Sequence, residues 1–218
     1  MKYLDFIEQD EVTHKYRLGW RLFELGNCVD TLNLLKKKSR PYLEELCEKA
    51  KETVHLAVLR DGDVLYVDKI MGSHKMTMIT SVELRLPSHV GSLGKCLLAF
   101  LPEGELDGII RSTKLRKFTE YTITDPKKLK EVLRKVRTNG FAIDNEEVEI
   151  GLTCVGVPIM DGSHKVVATI SISGPKARMH RDMMLQYTRI ALETAGKISY
   201  ALGLRDRPTG RVDGRRLF

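Results

Sequence analysis

Two spacings of apolar residues organise this chain. Over residues 55–67, apolar and polar positions form two β-rich runs around Asp61-Gly62, a dipeptide suited to a tight hairpin turn. Residues 76–82, 141–143, 152–160 and 166–173 read as further strands, the last two joined by Asp161-Gly162-Ser163-His164. Helical spacing appears elsewhere. Leu18, Leu22, Leu25, Val29 and Leu32 recur at intervals of four and three, a seam that serves either an amphipathic helix on its own core or self-association. Pro41 suits the first turn of a helix over 41–51. Residues 92–101 read as a buried helix stopped by Pro102, and 103–111 as a short one. Thr124-Asp125-Pro126 caps a helix whose face is Leu129, Val132, Leu133 and Val136, ending at Asn139-Gly140. A last helix covers about 178–202. At the start, Tyr3, Leu4, Phe6 and Ile7 read as the last turns of a helix, and residues 10–18 as a short hairpin. The sum is an α+β fold, an antiparallel sheet covered by helices.

The length of 218 residues suits one domain of roughly 150–180 residues with a short extra segment. The longest apolar run, 96–101, is far short of a membrane span, and acidic residues stand where a signal peptide needs an apolar stretch. Cys28, Cys47, Cys96 and Cys154 are scattered, which points to reduced thiols in a cytoplasmic protein. The net charge of +7 is unevenly placed: residues 111–137 hold ten Lys/Arg against three Asp/Glu, and 205–218 hold five Arg against two Asp. The first is the outer face of a helix, the second a Gly/Pro/Arg-rich tail; neither is a nucleic-acid reading head.

No zincin motif, nucleophile elbow, phosphate loop or dinucleotide fingerprint occurs, so no enzyme, cofactor or metal is expected. Cys154 lies in an apolar strand with nothing nearby to activate it, and reads as a small hydrophobe. A pocket is the better candidate. Ser171 and Ser173 share one face of a strand, as do Leu152 and Cys154 on its neighbour. Ser92-Leu93-Gly94 opens a helix, where free N–H groups favour an anion, unless Ser92 is simply an N-cap. Asp144 accepts from a ligand hydroxyl or caps a turn.

These residues sit within a wider pattern. Tyr16-Arg17-Leu18-Gly19 precedes Leu22-Phe23-Glu24-Leu25-Gly26; residues 53–58 precede Tyr66-Val67-Asp68-Lys69. Arg85-Leu86-Pro87-Ser88-His89 runs into 93–102; Gly140-Phe141-Ala142 is followed by Asp144, Glu147, Gly151, Cys154 and Pro158, and Ile170-Ser171-Ile172-Ser173-Gly174-Pro175 closes the series. From about Tyr16 to Gly203 the chain resembles the IclR family of bacterial transcription regulators, with Met160 and Lys75 as departures. The resemblance implies a GAF-like effector-binding domain with a curved sheet between helices. It implies an effector pocket lined by Met78, Ser92, Leu93, Asp144, Leu152, Cys154, Ser171 and Ser173, holding a small carboxylate or aromatic acid that modulates operator binding. It divides the chain into a remnant of a winged helix-turn-helix (1–18), a linker and oligomerisation helix (19–38), the effector-binding domain (39–204) and a basic, flexible tail (205–218). Residues 1–7 resemble the end of a recognition helix and 10–18 the wing, so operator DNA is a partner only if the complete winged helix is present. Dimers or tetramers are implied; a membrane is not. The alternative is a free-standing module, without DNA binding, that forms mixed oligomers with a full-length regulator.

Overall fold

The computed structural model describes residues 6–27, 30–74 and 84–205. Its contacts divide at Lys37/Lys38 into two units. In the first, β1 (Ile7–Gln9) pairs antiparallel with β2 (Tyr16–Leu18), and Asp10 ties the turn by accepting from the Val12 and Thr13 amides. The hairpin is the expected one, but Ile7 belongs to its strand rather than to a helix. Helix α1 (Trp20–Asn27) follows, then α2 (Thr31–Ala50). The leucine seam is therefore divided: Leu18 is on a strand, Leu22 and Leu25 are on α1, and Leu32 is on α2, while Val29 and Cys28 lie outside the described residues. The physical reason is Asp30, which caps a new helix by accepting from the Asn33 amide at 3.1 Å.

Pro41 does not start a helix, since α2 runs straight through it. The bond lost is to the carbonyl of Lys37, and both Lys37 and Pro41 are on the exposed side, where water replaces the missing donor.

The second unit is built on a six-stranded, wholly antiparallel sheet, ordered β5 (Arg85–Pro87), β4 (Asp63–Ile70), β3 (Thr53–Arg60), β8 (Val166–Pro175), β7 (Leu152–Met160) and β6 (Ala142–Asn145). The Asp61-Gly62 hairpin and the bounds of β7 are as expected; β5 was not foreseen. The strand expected at 76–82 lies outside the described residues, as does the tail beyond Arg205. Strands β7 and β8 are buried on both faces, so both are covered by helices.

Helix α3 (Gly91–Ala99) lies over one face. The fit is close: a Cβ at Gly156 of β7 would come within 2.9 Å of the Ser92 backbone, and one at Gly94 within 2.2 Å of the Ser88 carbonyl. Outside α3, helices α4 (Glu103–Ser112) and α5 (Pro126–Asn139) complete a core of Cys96, Leu98, Ile110, Leu129, Leu133 and Val136. Helix α6 (Arg181–Ala201) packs on β7 and β8 and is tied to α2 by Lys197–Glu45 and by Lys38 donating to the Ala201 carbonyl.

Candidate functional site

Strand register assembles the site. Asp144 stands opposite Cys154, and Cys154 opposite Ser173; in the next row Gly156 stands opposite Ser171, and Ser171 opposite His55. Cross-strand partners share a face, so four strands present Asp144, Cys154, Ser173, Ser171 and His55 beneath the start of α3. A shift in the β3–β4 register between Leu56 and Ala57 leaves Tyr66 opposite Ala57 and Asp68 opposite Leu56. Tyr66 thereby joins the α3 face, while Asp68 turns to the other and meets Arg40 of α2 at 2.9 Å.

These residues border a small cavity, partly open to solvent, lined by Val64, Tyr66, Leu86, Val90, Gly91, Ser92, Leu93, Gly94, Asp144, Val148, Leu152, Cys154, Ser171 and Ser173. Seven of the eight residues implied by the resemblance come together here; Met78 lies outside the described residues. Gly94, part of the helix start read as an anion site, joins the seven; the sequence missed Val64, Tyr66, Leu86, Val90, Gly91 and Val148. For Tyr66 the signal was present, since Val64, Tyr66 and Asp68 alternate as buried positions of β4, but alternation alone puts Tyr66 and Asp68 on one face.

The start of α3 is the main polar feature. Ser92 is not its N-cap: Val90 is, and no side chain caps the helix. The backbone N–H groups of its first turn thus lack a capping side chain, and their dipoles favour negative charge. Facing them, the Ser171 and Ser173 hydroxyls lie 3.2 Å apart, each 3.4 Å from His55 Nδ1. Burial pushes the imidazole down to about 3, so His55 is neutral and carries one N–H. If that proton is on Nδ1, one serine proton is left for a ligand; if Nδ1 accepts, the serine pair offers only lone pairs.

Asp144 accepts from the Glu147 amide at 2.8 Å. Burial first, and the neighbouring Glu147 charge second, push its carboxyl up to about 7. Protonated, it donates to a ligand carboxylate; ionised, it accepts from a ligand hydroxyl. Lys95, one turn into α3, forms a buried ion pair with Glu147 and donates to the Ile143 carbonyl, which fixes α3 to β6. Burial and the Asp144 charge hold the Cys154 thiol well above its ordinary range, which suits a packing role and not a nucleophile. Among the described residues no cluster of His, Cys, Asp and Glu could hold a metal, and no helix is long and apolar enough to cross a membrane.

Comparison with known proteins places this architecture. Residues 27–200 match the family described as bacterial transcriptional regulator IclR C-terminal. The chain is 34% identical to the HTH-type transcriptional regulator KdgR of Escherichia coli K12 over 209 residues, covering 95% of this chain and 79% of that protein. The crystal structure of the Thermotoga maritima IclR superposes with a TM-score of 0.75 at 32% identity, over 93% of this chain and 81% of that one. An IclR homologue from Microbacterium hydrocarbonoxydans, solved in complex with 4-hydroxybenzoate, superposes with a TM-score of 0.72 at 26% identity over 93% of this chain and 81% of its own. The α+β fold with a curled antiparallel sheet is the one these structures share.

Proposed function

The chain belongs to the IclR family of bacterial transcriptional regulators, and on that premise we propose that its pocket binds a small carboxylate or aromatic acid whose arrival alters operator binding by the regulator. The observation that carries this reading is the uncapped start of α3 set over the paired serines: fixed backbone donors for a carboxylate, with hydroxyls opposite and apolar walls from Val64, Leu86, Val148 and Leu152. The 4-hydroxybenzoate held by the Microbacterium homologue is an aromatic acid of this kind. Ser92, Leu93, Asp144, Leu152, Cys154, Ser171 and Ser173 are the proposed contacts. The family is one of regulators, not enzymes, and a cytoplasmic place accords with that role.

We divide the chain into a winged-helix part (1–18), linker (19–38), effector-binding domain (39–204) and tail (205–218); the change of packing at Lys37/Lys38 supports the boundary between linker and effector-binding domain. Self-association as a dimer or tetramer, or mixed oligomers with a full-length regulator, is favoured by a different observation: Leu18, Trp20, Leu22 and Leu25 are all at least 40% exposed, more apolar surface than one short segment ordinarily leaves to water.

Titration with a broad panel of carboxylates and aromatic acids is expected to raise the wild-type Tm for some members and to leave a Ser171→Ala/Ser173→Ala variant unmoved. No shift with any member removes the pocket reading. Sedimentation of the same sample as a monomer removes the oligomer.

A further inference from the structure

Two buried tyrosines of the second unit differ in one respect. Tyr187 on α6 donates its hydroxyl to the Ala50 carbonyl at 3.1 Å, as a buried O–H ordinarily must. Tyr66 is as deeply buried as a residue, at 6% exposure, but its hydroxyl has no hydrogen-bond partner among the described residues and is not one of their sealed-off polar atoms. Its ring is fixed, standing edge-on to His55 at 5.2 Å and 89°. It lines the cavity, near enough to Asp144 and Cys154 for their charges to act on it, and burial with those charges raises the phenol. From the cavity an acceptor can reach the hydroxyl without disturbing any hydrogen bond among the described residues.

We propose that Tyr66 is a specificity-determining residue whose hydroxyl donates to a second oxygen of the effector, apart from the carboxylate held at the start of α3. The pocket then selects acids bearing a hydroxyl, oxo or ether oxygen over the corresponding hydrocarbon acids. This rests on the pocket reading above. It adds a third polar element, on β4, to the helix start and the serine pair on β8. An analogue without the oxygen covers the hydroxyl and leaves it unpaired, a cost that an acid bearing the oxygen avoids.

The test uses the full chain, the Tyr66→Phe variant and two matched pairs, 4-hydroxybenzoate with benzoate and lactate with propionate, titrated calorimetrically at pH 6. In whichever pair binds, the wild type is expected to prefer the oxygenated member about tenfold. Tyr66→Phe is expected to erase that preference, leave the plain acid's affinity unchanged, and leave the ligand-free Tm equal or higher. A variant that keeps the preference, weakens both members equally or loses ligand-free stability overturns the inference while the pocket reading stands, as does a wild type without preference. A wild type that binds none of the four overturns both.

Discussion

Helices α3 and α5 begin in opposite ways. At α5, Asp125 accepts from the Lys128 amide at 2.8 Å, Pro126 fills the first helical position, and Gly140 closes the far end in a left-handed conformation. At α3, Val90 occupies the cap position and contributes no side-chain bond. The first start is complete by itself and is exposed. The second is incomplete, buried, and faces a cavity. Lack of a side-chain cap does not alone set α3 apart, since α4 and α6 also begin without one, but their starts are exposed to water; the start of α3 is buried over a cavity, so its donors await a ligand and its stability must come from packing.

The largest effect on this contrast is expected from Gly94→Ala. The added Cβ meets the Ser88 carbonyl, so α3 must move away from its seat. Loss of about 3 kcal/mol by chemical denaturation is expected, with loss of carboxylate binding in calorimetry.

Asp144→Asn probes the electrostatics of the open start. The folded carboxyl titrates at about 7 against an ordinary 3.8, so the folded chain holds this proton more tightly than the unfolded one. Between about pH 4 and pH 7 this group therefore lowers stability as pH rises. The asparagine variant is expected to be more stable than wild type by roughly 2 kcal/mol at pH 8 and no different at pH 4. Wild-type affinity for a carboxylate should fall as pH rises through about 7, and the variant's should not.

The smallest effect is expected at the closed start. Asp125→Ala should lower stability by about 1 kcal/mol and leave carboxylate affinity untouched. A change in affinity there would break the distinction between the two helix starts.

The same contrast explains what could be read from the sequence. The α5 helix was readable because its signals are local: a cap, a proline and a glycine, each acting within a few residues. The β3–β4 hairpin and β7 were readable for a similar reason. The serine face was readable from period-two spacing, and half of the residues that line the cavity were singled out from the residues themselves, the family resemblance then pointing to the same ones. Most of what failed was non-local. The course of α2 through Pro41 depends on which side of the helix faces water; the cap at Asp30 that divides the leucine seam is the exception, a local signal overridden by the regular spacing of the leucines. Tyr66 escaped because a shift of pairing register, invisible to alternation, decides which face it joins. Val90, Gly91 and Val148 line the cavity only because α3 lies so close to β7, which no single segment records.

Helix α3 is shared by two cores. Cys96, Leu98 and Ala99 pack toward α5, while Leu93 and Leu97 pack with Ala57, Val64 and Tyr66. It is wedged on both sides, with backbone against backbone at Gly94 and Gly156. The helix is thus a fixed jaw, and the size of acid admitted is gauged by the other jaw. A bulkier effector is accommodated by trimming Leu86, Val148 or Leu152, not by sliding the rod that holds its charged end.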